Sequence, residues 1–256
     1  MSNERWRVWD HSKSYGDLLY KRAVGESEEM ESSKALAKVV AKRYQPGMTL
    51  LDVGCAAGHY LRSLRRVDEN ISYTGVDATA YYIELARKAF PDAEFEVGDI
   101  FDLPFDDDSY DIVINNNVIH HLPPPPTKAF SELIRVARKH VIIRAVFGDR
   151  NYIIKEVRTK DDWIDTIESS ELDLVTEEAD LKLFNYFNLY TETYFREVVK
   201  HIDQNIEIEI IKDDDWESFD NRESTIKTGT RVVSGYQISG NLVLDWRFII
   251  LTKPGS

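Results

Sequence analysis

Residues 50–58 read Leu-Leu-Asp-Val-Gly-Cys-Ala-Ala-Gly. Leu50, Leu51 and Val53 suit a strand buried on both faces, and Asp52 sets an acid near its tip. Gly54 and Gly58 remove side chains where a ligand would meet backbone, and a helix from about His59 to Arg66 aims its free N–H groups at the same place. A strand, a small-residue turn and a helix in this order form the ligand cradle of doubly wound α/β sheets.

Spacing narrows the ligand. A dinucleotide fingerprint G-x-G-x-x-G begun at Gly54 needs glycine where the chain has Ala56 and His59, and a phosphate loop needs Gly-Lys where it has His59-Tyr60. What remains is D-x-G-x-x-x-G, read as Asp52, Gly54 and Gly58. A second strand, Ile71 to Val76, ends at Asp77, 23 residues after Gly54, where a carboxylate accepts ribose hydroxyls. NAD enzymes place an acid similarly, so Asp77 supports a nucleoside without naming it. A third strand, Ala93 to Val97, leads into Gly98-Asp99-Ile100, and a fourth, Tyr110 to Ile114, into Asn115-Asn116-Asn117-Val118-Ile119-His120-His121-Leu122.

This ordered set over residues 48 to 146 resembles the class I S-adenosylmethionine-dependent methyltransferases of small-molecule type. Their first motif is usually written D-x-G-x-G-x-G, and Ala56 replaces its middle glycine, adding a methyl that tightens the turn or shifts the methionine end of the cofactor. The resemblance implies an α/β, Rossmann-like, doubly wound, mostly parallel seven-stranded sheet with an antiparallel closing strand, N-terminal lid helices and a C-terminal cap insertion. It also implies S-adenosyl-L-methionine as cofactor, with S-adenosyl-L-homocysteine as product. The cofactor-binding residues it implies are Asp52, Gly54, Cys55, Ala56, Gly58, Asp77, Ala78, Asp99, Ile100, Asn115 and Asn116, with Asp99 and Ile100 at the adenine. Tyr15, Tyr20 and Arg22 are candidates for the lid or substrate side. His120 and His121 are candidates for a general base, needed only for a hydroxyl, acidic carbon or protonated amine. The alternative for this pair is that one packs under the cofactor and the other caps the loop.

With 256 residues, 43% hydrophobic, the chain can bury a full core as one domain with an elaboration. Residues 1–47 form the lid and first helix, 48–147 the cofactor-binding core, and 148–256 a cap insertion and closing strands. No run approaches the roughly 18–20 apolar residues of a membrane span, and a cytoplasmic location is expected. The single cysteine, Cys55, excludes an internal disulfide. Against 32 Lys and Arg stand 45 Asp and Glu, and residues 161–220 alone hold 19 acidic and 4 basic. Nucleic acid is therefore not expected as a partner, while a solvated acidic face or attraction of an amine substrate both fit. Asp106-Asp107-Asp108 reads as a surface turn, so no metal is expected.

Glu31 to Tyr44 carries Leu36, Val39, Val40 and Tyr44 at helical spacing. Thr79 is expected to cap a helix to about Phe90, and Thr127 a helix to about Arg138 with Arg135, Arg138 and Lys139 in its last turn. Pro123 to Pro126 reads as a stiff extended link, and Val141 to Phe147 as a fifth strand. Beyond it, Trp163, Ile164 and Ile167 suggest a cap helix, Ile206 to Ile211 a half-exposed strand, Thr230 to Ser239 a hairpin, and Leu242 to Leu251 the closing strand. The reading is a methyltransferase with a small-molecule acceptor. Alternatives are an RNA or protein methyltransferase, a non-catalytic cofactor-binding module, and an oxidoreductase on a similar sheet, which the broken glycine pattern disfavours.

Overall fold

A computed structural model describes residues 5–157, 183–213, 231–233, 236–239 and 242–255. Trp163, Ile164 and Ile167, and 13 of the 19 acidic residues of 161–220, lie outside the described residues. A 3-10 turn at Val8–His11 and helices α1 (Lys13–Val24) and α2 (Glu31–Ala41) lead into β1 (Thr49–Val53). Then follow α3 (His59–Leu64), β2 (Ser72–Asp77), α4 (Ala80–Ala89), β3 (Glu94–Val97), β4 (Tyr110–Asn116), a 3-10 turn at Ile119–His121, α5 (Thr127–Val136) and β5 (Ala137–Phe147). The remaining elements are β6 (Lys155–Val157), β7 (Phe184–Tyr186), α6 (Glu192–Ile202), β8 (Glu207–Lys212), β9 (Arg231–Val233), β10 (Tyr236–Ser239) and β11 (Leu242–Thr252).

The main sheet runs β3-β2-β1-β4-β5-β11, with the first five strands parallel and β11 antiparallel to β5. The outer edge of β11 is shared. Its start pairs with β10, which pairs with β9, and its end pairs with β8, all antiparallel. The sheet thus has nine strands rather than seven, because the hairpin expected at 230–239 joins the same ladder. β6 and β7 form a separate two-stranded sheet.

Alternation explains the layers. Leu50, Ile112, Ile114, Ile142, Phe248 and Ile250 face one side, where Leu36, Val40, Leu61, Leu64 and Ile83 of α2, α3 and α4 cover them. Leu51, Val53, Val113, Ile143, Ile249 and Leu251 face the other, under Phe130 and Leu133 of α5 and Phe195 and Val199 of α6. Successive strand residues point to opposite faces, so apolar residues at both parities require helices on both sides.

Three local expectations change. Thr127 is the first helical residue, with Pro126 in the capping position. That helix stops at Val136 because Ala137 already begins β5, which leaves Arg138 and Lys139 on the strand, where Arg138 pairs with Asp111. Thr79 occupies the capping position of α4, but its hydroxyl donates to Asp10 in the N-terminal arm instead of capping.

The arm docks through a close approach. A side chain at Gly16 on α1 would lie 2.6 Å from the Tyr82 ring on α4, and the Tyr82 hydroxyl donates to the Ser12 carbonyl at 2.8 Å. Gly16→Val is expected to lift α1, lowering stability by about 1–3 kcal/mol as overpacking does. It should also speed limited tryptic cleavage within residues 5–24, and an unchanged digestion pattern would contradict this docking.

Candidate active site

The β1 turn is built from left-handed backbone. Gly54 has φ +80° and Gly58 φ +74°, and a Cβ on Gly54 would collide with the Val118 side chain. Gly54 and Cys55 both donate to the Val76 carbonyl, binding the turn to the tip of β2. Ala56 sits between the two glycines at φ +47°, a conformation that favours glycine. Its N–H donates to Asp77 Oδ2 at 2.9 Å, and the Thr79 N–H donates to Oδ1 at 2.8 Å. One carboxylate thus joins the β1 turn to the start of α4.

Over these strand ends lies a cavity of about 510 Å³, within the range of small-molecule sites. Gly54, Ala56, Asp77, Ala78, Asp99 and Ile100 line it, together with Asn116, His120, His121, Tyr15 and Arg22. Five expected residues do not reach it. Asp52 is fully buried behind the turn and accepts a 2.7 Å bond from the Tyr73 hydroxyl. Cys55 is buried against Gly75, and Gly58 lies beside Phe95 and Phe90. Asn115 turns back to donate to the Val53 carbonyl, and the Tyr20 ring lies under the Lys88 ammonium. Asp106, Asp107 and Asp108 are exposed, and no metal-ligating cluster occurs among the described residues.

The cavity walls hold polar atoms that the chain leaves unsatisfied. His59 is 7% exposed, and neither ring nitrogen has a hydrogen-bond partner. The side-chain oxygen of Asn116, 3% exposed, also lacks one, while its NH2 faces the Tyr60 hydroxyl. Burial lowers the His59 pKa to about 3, so its ring is neutral at pH 7 and offers one donor and one acceptor. An unsatisfied buried polar group costs about 1–3 kcal/mol, which a polar ligand recovers. Each Asp77 oxygen also retains a lone pair beyond the amide it holds. These groups fit a ligand with hydroxyls at the β2 tip and a polar tail near His59.

Next to Tyr60 the sequence gives little warning of the residues present. Arg144, in mid-β5 and 1% exposed, donates to Asp213 at 2.6 Å and to the Asn117 side chain, while Asn117 donates to the Tyr60 hydroxyl at 3.1 Å. The Arg144 guanidinium lies 4.0 Å over the Trp246 ring, whose Nε1 donates to Gln237 at 2.7 Å. Arg144, Asn117, Tyr60, Trp246, Gln237 and Phe187 all line the cavity. Only the apolar pattern of the strands carrying Arg144 and Trp246, broken by these two side chains, hints at them.

The two histidines differ. His120 is buried against the Phe187 and Trp246 rings, and burial, then His121 and Arg144, hold its pKa well below the ordinary value. His121 Nδ1 donates to the Tyr186 carbonyl at 2.8 Å, since a carbonyl can only accept. In the neutral ring this puts the lone pair on Nε2. Asn188, fully buried, holds the loop from beneath, its N–H donating to the His120 carbonyl and its amide to the Leu122 carbonyl.

Residues 44–188 match the sequence model of a methyltransferase domain family. The chain is 38% identical over 64 residues to a demethylmenaquinone methyltransferase of Thermotoga maritima, covering 25% of this chain and 28% of that protein. It is 39% identical over 71 residues to a phthiotriol/phenolphthiotriol dimycocerosates methyltransferase of Mycobacterium tuberculosis, covering 27% and 26%. The chain thus matches about a quarter of the length of these relatives. The fold resembles that of a SAM-dependent methyltransferase of Methanosarcina mazei, with TM-score 0.56 and 15% identity over 84% of this chain and 96% of that one.

Two outcomes follow from the turn. Burial raises the Asp52 pKa from 3.8 to about 7, opposed by the Tyr73 bond. Between these values the folded state binds a proton that the unfolded state has released, so this group's contribution is intact below pH 4 and is lost as pH rises to 7. The difference in urea stability between Asp52→Asn and the wild type should therefore shift in favour of the variant over that window. A pH-independent difference would refute it. Ala56→Gly, which relieves the left-handed alanine at the cost of a looser unfolded chain, should raise stability by roughly 0.5–1 kcal/mol. A loss of stability would show that the turn is not strained.

Proposed function

The chain belongs to the class I S-adenosylmethionine-dependent methyltransferases, and on that premise we propose that it transfers a methyl group to a small-molecule acceptor. The observation that carries the reading is the conjunction, over the parallel strand ends, of the Gly54 turn, the Asp77 clamp and the unsatisfied His59 and Asn116. Asp77 accepts the ribose hydroxyls, Asp99 and Ile100 border the adenine, and Arg22, His59 and Asn116 receive the amino-acid tail.

When bound, S-adenosylmethionine supplies a methyl group already activated on a sulfonium, so the protein's task is alignment and exclusion of water. The N-terminal arm covers the cavity with Trp6 and Trp9, and is tied down by Arg7 donating to the Ala78 carbonyl and by Asp10 accepting from Thr79. His121 holds its lone pair on Nε2 toward the acceptor and takes its proton. His120, kept neutral by burial, packs beside it.

The size of the cavity and its balance of charge support a small acceptor. Six carboxylate residues and three arginines line it, an unfavourable surface for a phosphate backbone. The lining by Arg144, Trp246 and Phe187, in addition to the residues assigned to the cofactor, supports turnover over mere cofactor binding.

Calorimetry tests the reading. S-adenosylhomocysteine should bind and NAD should not, and Asp77→Asn should weaken S-adenosylhomocysteine by about tenfold, the loss of a charge-assisted hydrogen bond. Heat with NAD alone, or none with S-adenosylhomocysteine, would overturn it.

A further inference from the structure

One wall of the cavity is an unbroken run of rings. Tyr15, Trp9, His121, Phe187, His120 and Trp246 follow one another with centroid separations of 5.3, 5.3, 5.6, 5.2 and 5.3 Å, and all six line the cavity. They come from four separate places: the arm, the loop after β4, the residue after β7, and β11. All but one of these contacts are edge-to-face, the arrangement in which ring faces and edges are presented in alternation.

Such a wall suits either a flat conjugated acceptor or a cation. Charge decides between them. The Trp246 ring already carries the Arg144 guanidinium on its face, and that arginine lies at the same end of the cavity as His120. A second cation there meets repulsion. Of the six carboxylate residues that line the cavity, Glu29 pairs with Arg66, Glu31 with Lys34 and Asp10 with Arg7, Asp99 accepts from the Phe101 amide, and Asp77 accepts from the Ala56 and Thr79 amides at the cofactor side of the proposed arrangement.

The base sets the acidity of the acceptor. An imidazole has an ordinary pKa of about 6.5, and a phenol of about 10 lies within reach of concerted proton transfer. An aliphatic hydroxyl, about as weak an acid as water, is far beyond it, and a carboxylic acid is already ionised at neutral pH and leaves a base idle.

We propose that the acceptor is a phenolic hydroxyl on a one- or two-ring aromatic compound, its ring against the Trp9–Phe187–Trp246 wall and its O–H directed to His121 Nε2. This rests on the methyl-transfer reading above. As the phenol oxygen forms its bond to the methyl carbon, its proton passes to Nε2 and the S–CH3 bonding pair returns to sulfur, giving an aryl methyl ether, S-adenosylhomocysteine and a protonated His121.

The test uses the full chain saturated with S-adenosylhomocysteine, titrated with 1-naphthol and, as a cation of similar shape, 1-naphthylmethylamine. Naphthol should bind at least tenfold more tightly than the amine. Phe187→Ala should weaken naphthol three- to tenfold and leave S-adenosylhomocysteine affinity unchanged. With methyl-labelled S-adenosylmethionine, label should appear in 1-methoxynaphthalene, and His121→Asn, which retains an N–H for the Tyr186 carbonyl, should slow this at least a hundredfold while naphthol still binds. Equal or tighter binding of the amine, label in the amine, in cyclohexylmethanol or in laurate but not in naphthol, or wild-type naphthol affinity in Phe187→Ala would overturn the proposal while cofactor binding stood. Absence of any S-adenosylhomocysteine heat would remove both.

Discussion

Burial of the central strands on both faces is the constraint from which the rest of this molecule follows. Leu50, Leu51, Ile112, Val113, Ile142 and Ile143 have no exposure, so mid-strand positions leave almost no place for reactive polar groups. Polar side chains gather instead where strands end and helices begin, where backbone groups lack partners and side chains can supply or receive hydrogen bonds. Asp77, Asp99, Asn116 and His59 stand at such points, and the cavity spans them.

Arg144 is the exception. It enters the cavity from within β5, fully buried, and is accommodated by Asp213, Asn117 and the face of Trp246. A buried guanidinium is tolerated only when paired and hydrogen-bonded. Its partners come from β11 and from the segments that follow β4 and β8, which ties this part of the cavity to both the parallel and the antiparallel strands of the sheet.

The element order was legible from residues 48–146, because alternating apolar runs and glycine turns are local signals. The placement of Asp77, Asp99 and the β1 turn was legible for the same reason. Strand-tip positions repeat with the strands. Asp52, Cys55, Gly58, Asn115 and Tyr20 show where spacing misleads: each neighbours a cavity residue in sequence, yet strand alternation, the left-handed turn or, for Tyr20, the rotation between successive residues of helix α1 points it away. Conversely, His59 and Tyr60 follow the glycine turn directly but acquire meaning only from the groups brought to face them.

By itself the sequence determined the doubly wound sheet, the glycine turn and the strand-tip acids, since each depends on residues within a few positions of one another. Tertiary structure alone decided the far wall. Trp9, His121, Phe187 and Trp246 are separated by scores of residues, and no local periodicity records that they meet. It also decided which histidine holds its lone pair on Nε2, because that depends on a carbonyl, that of Tyr186, contributed by a strand 65 residues away.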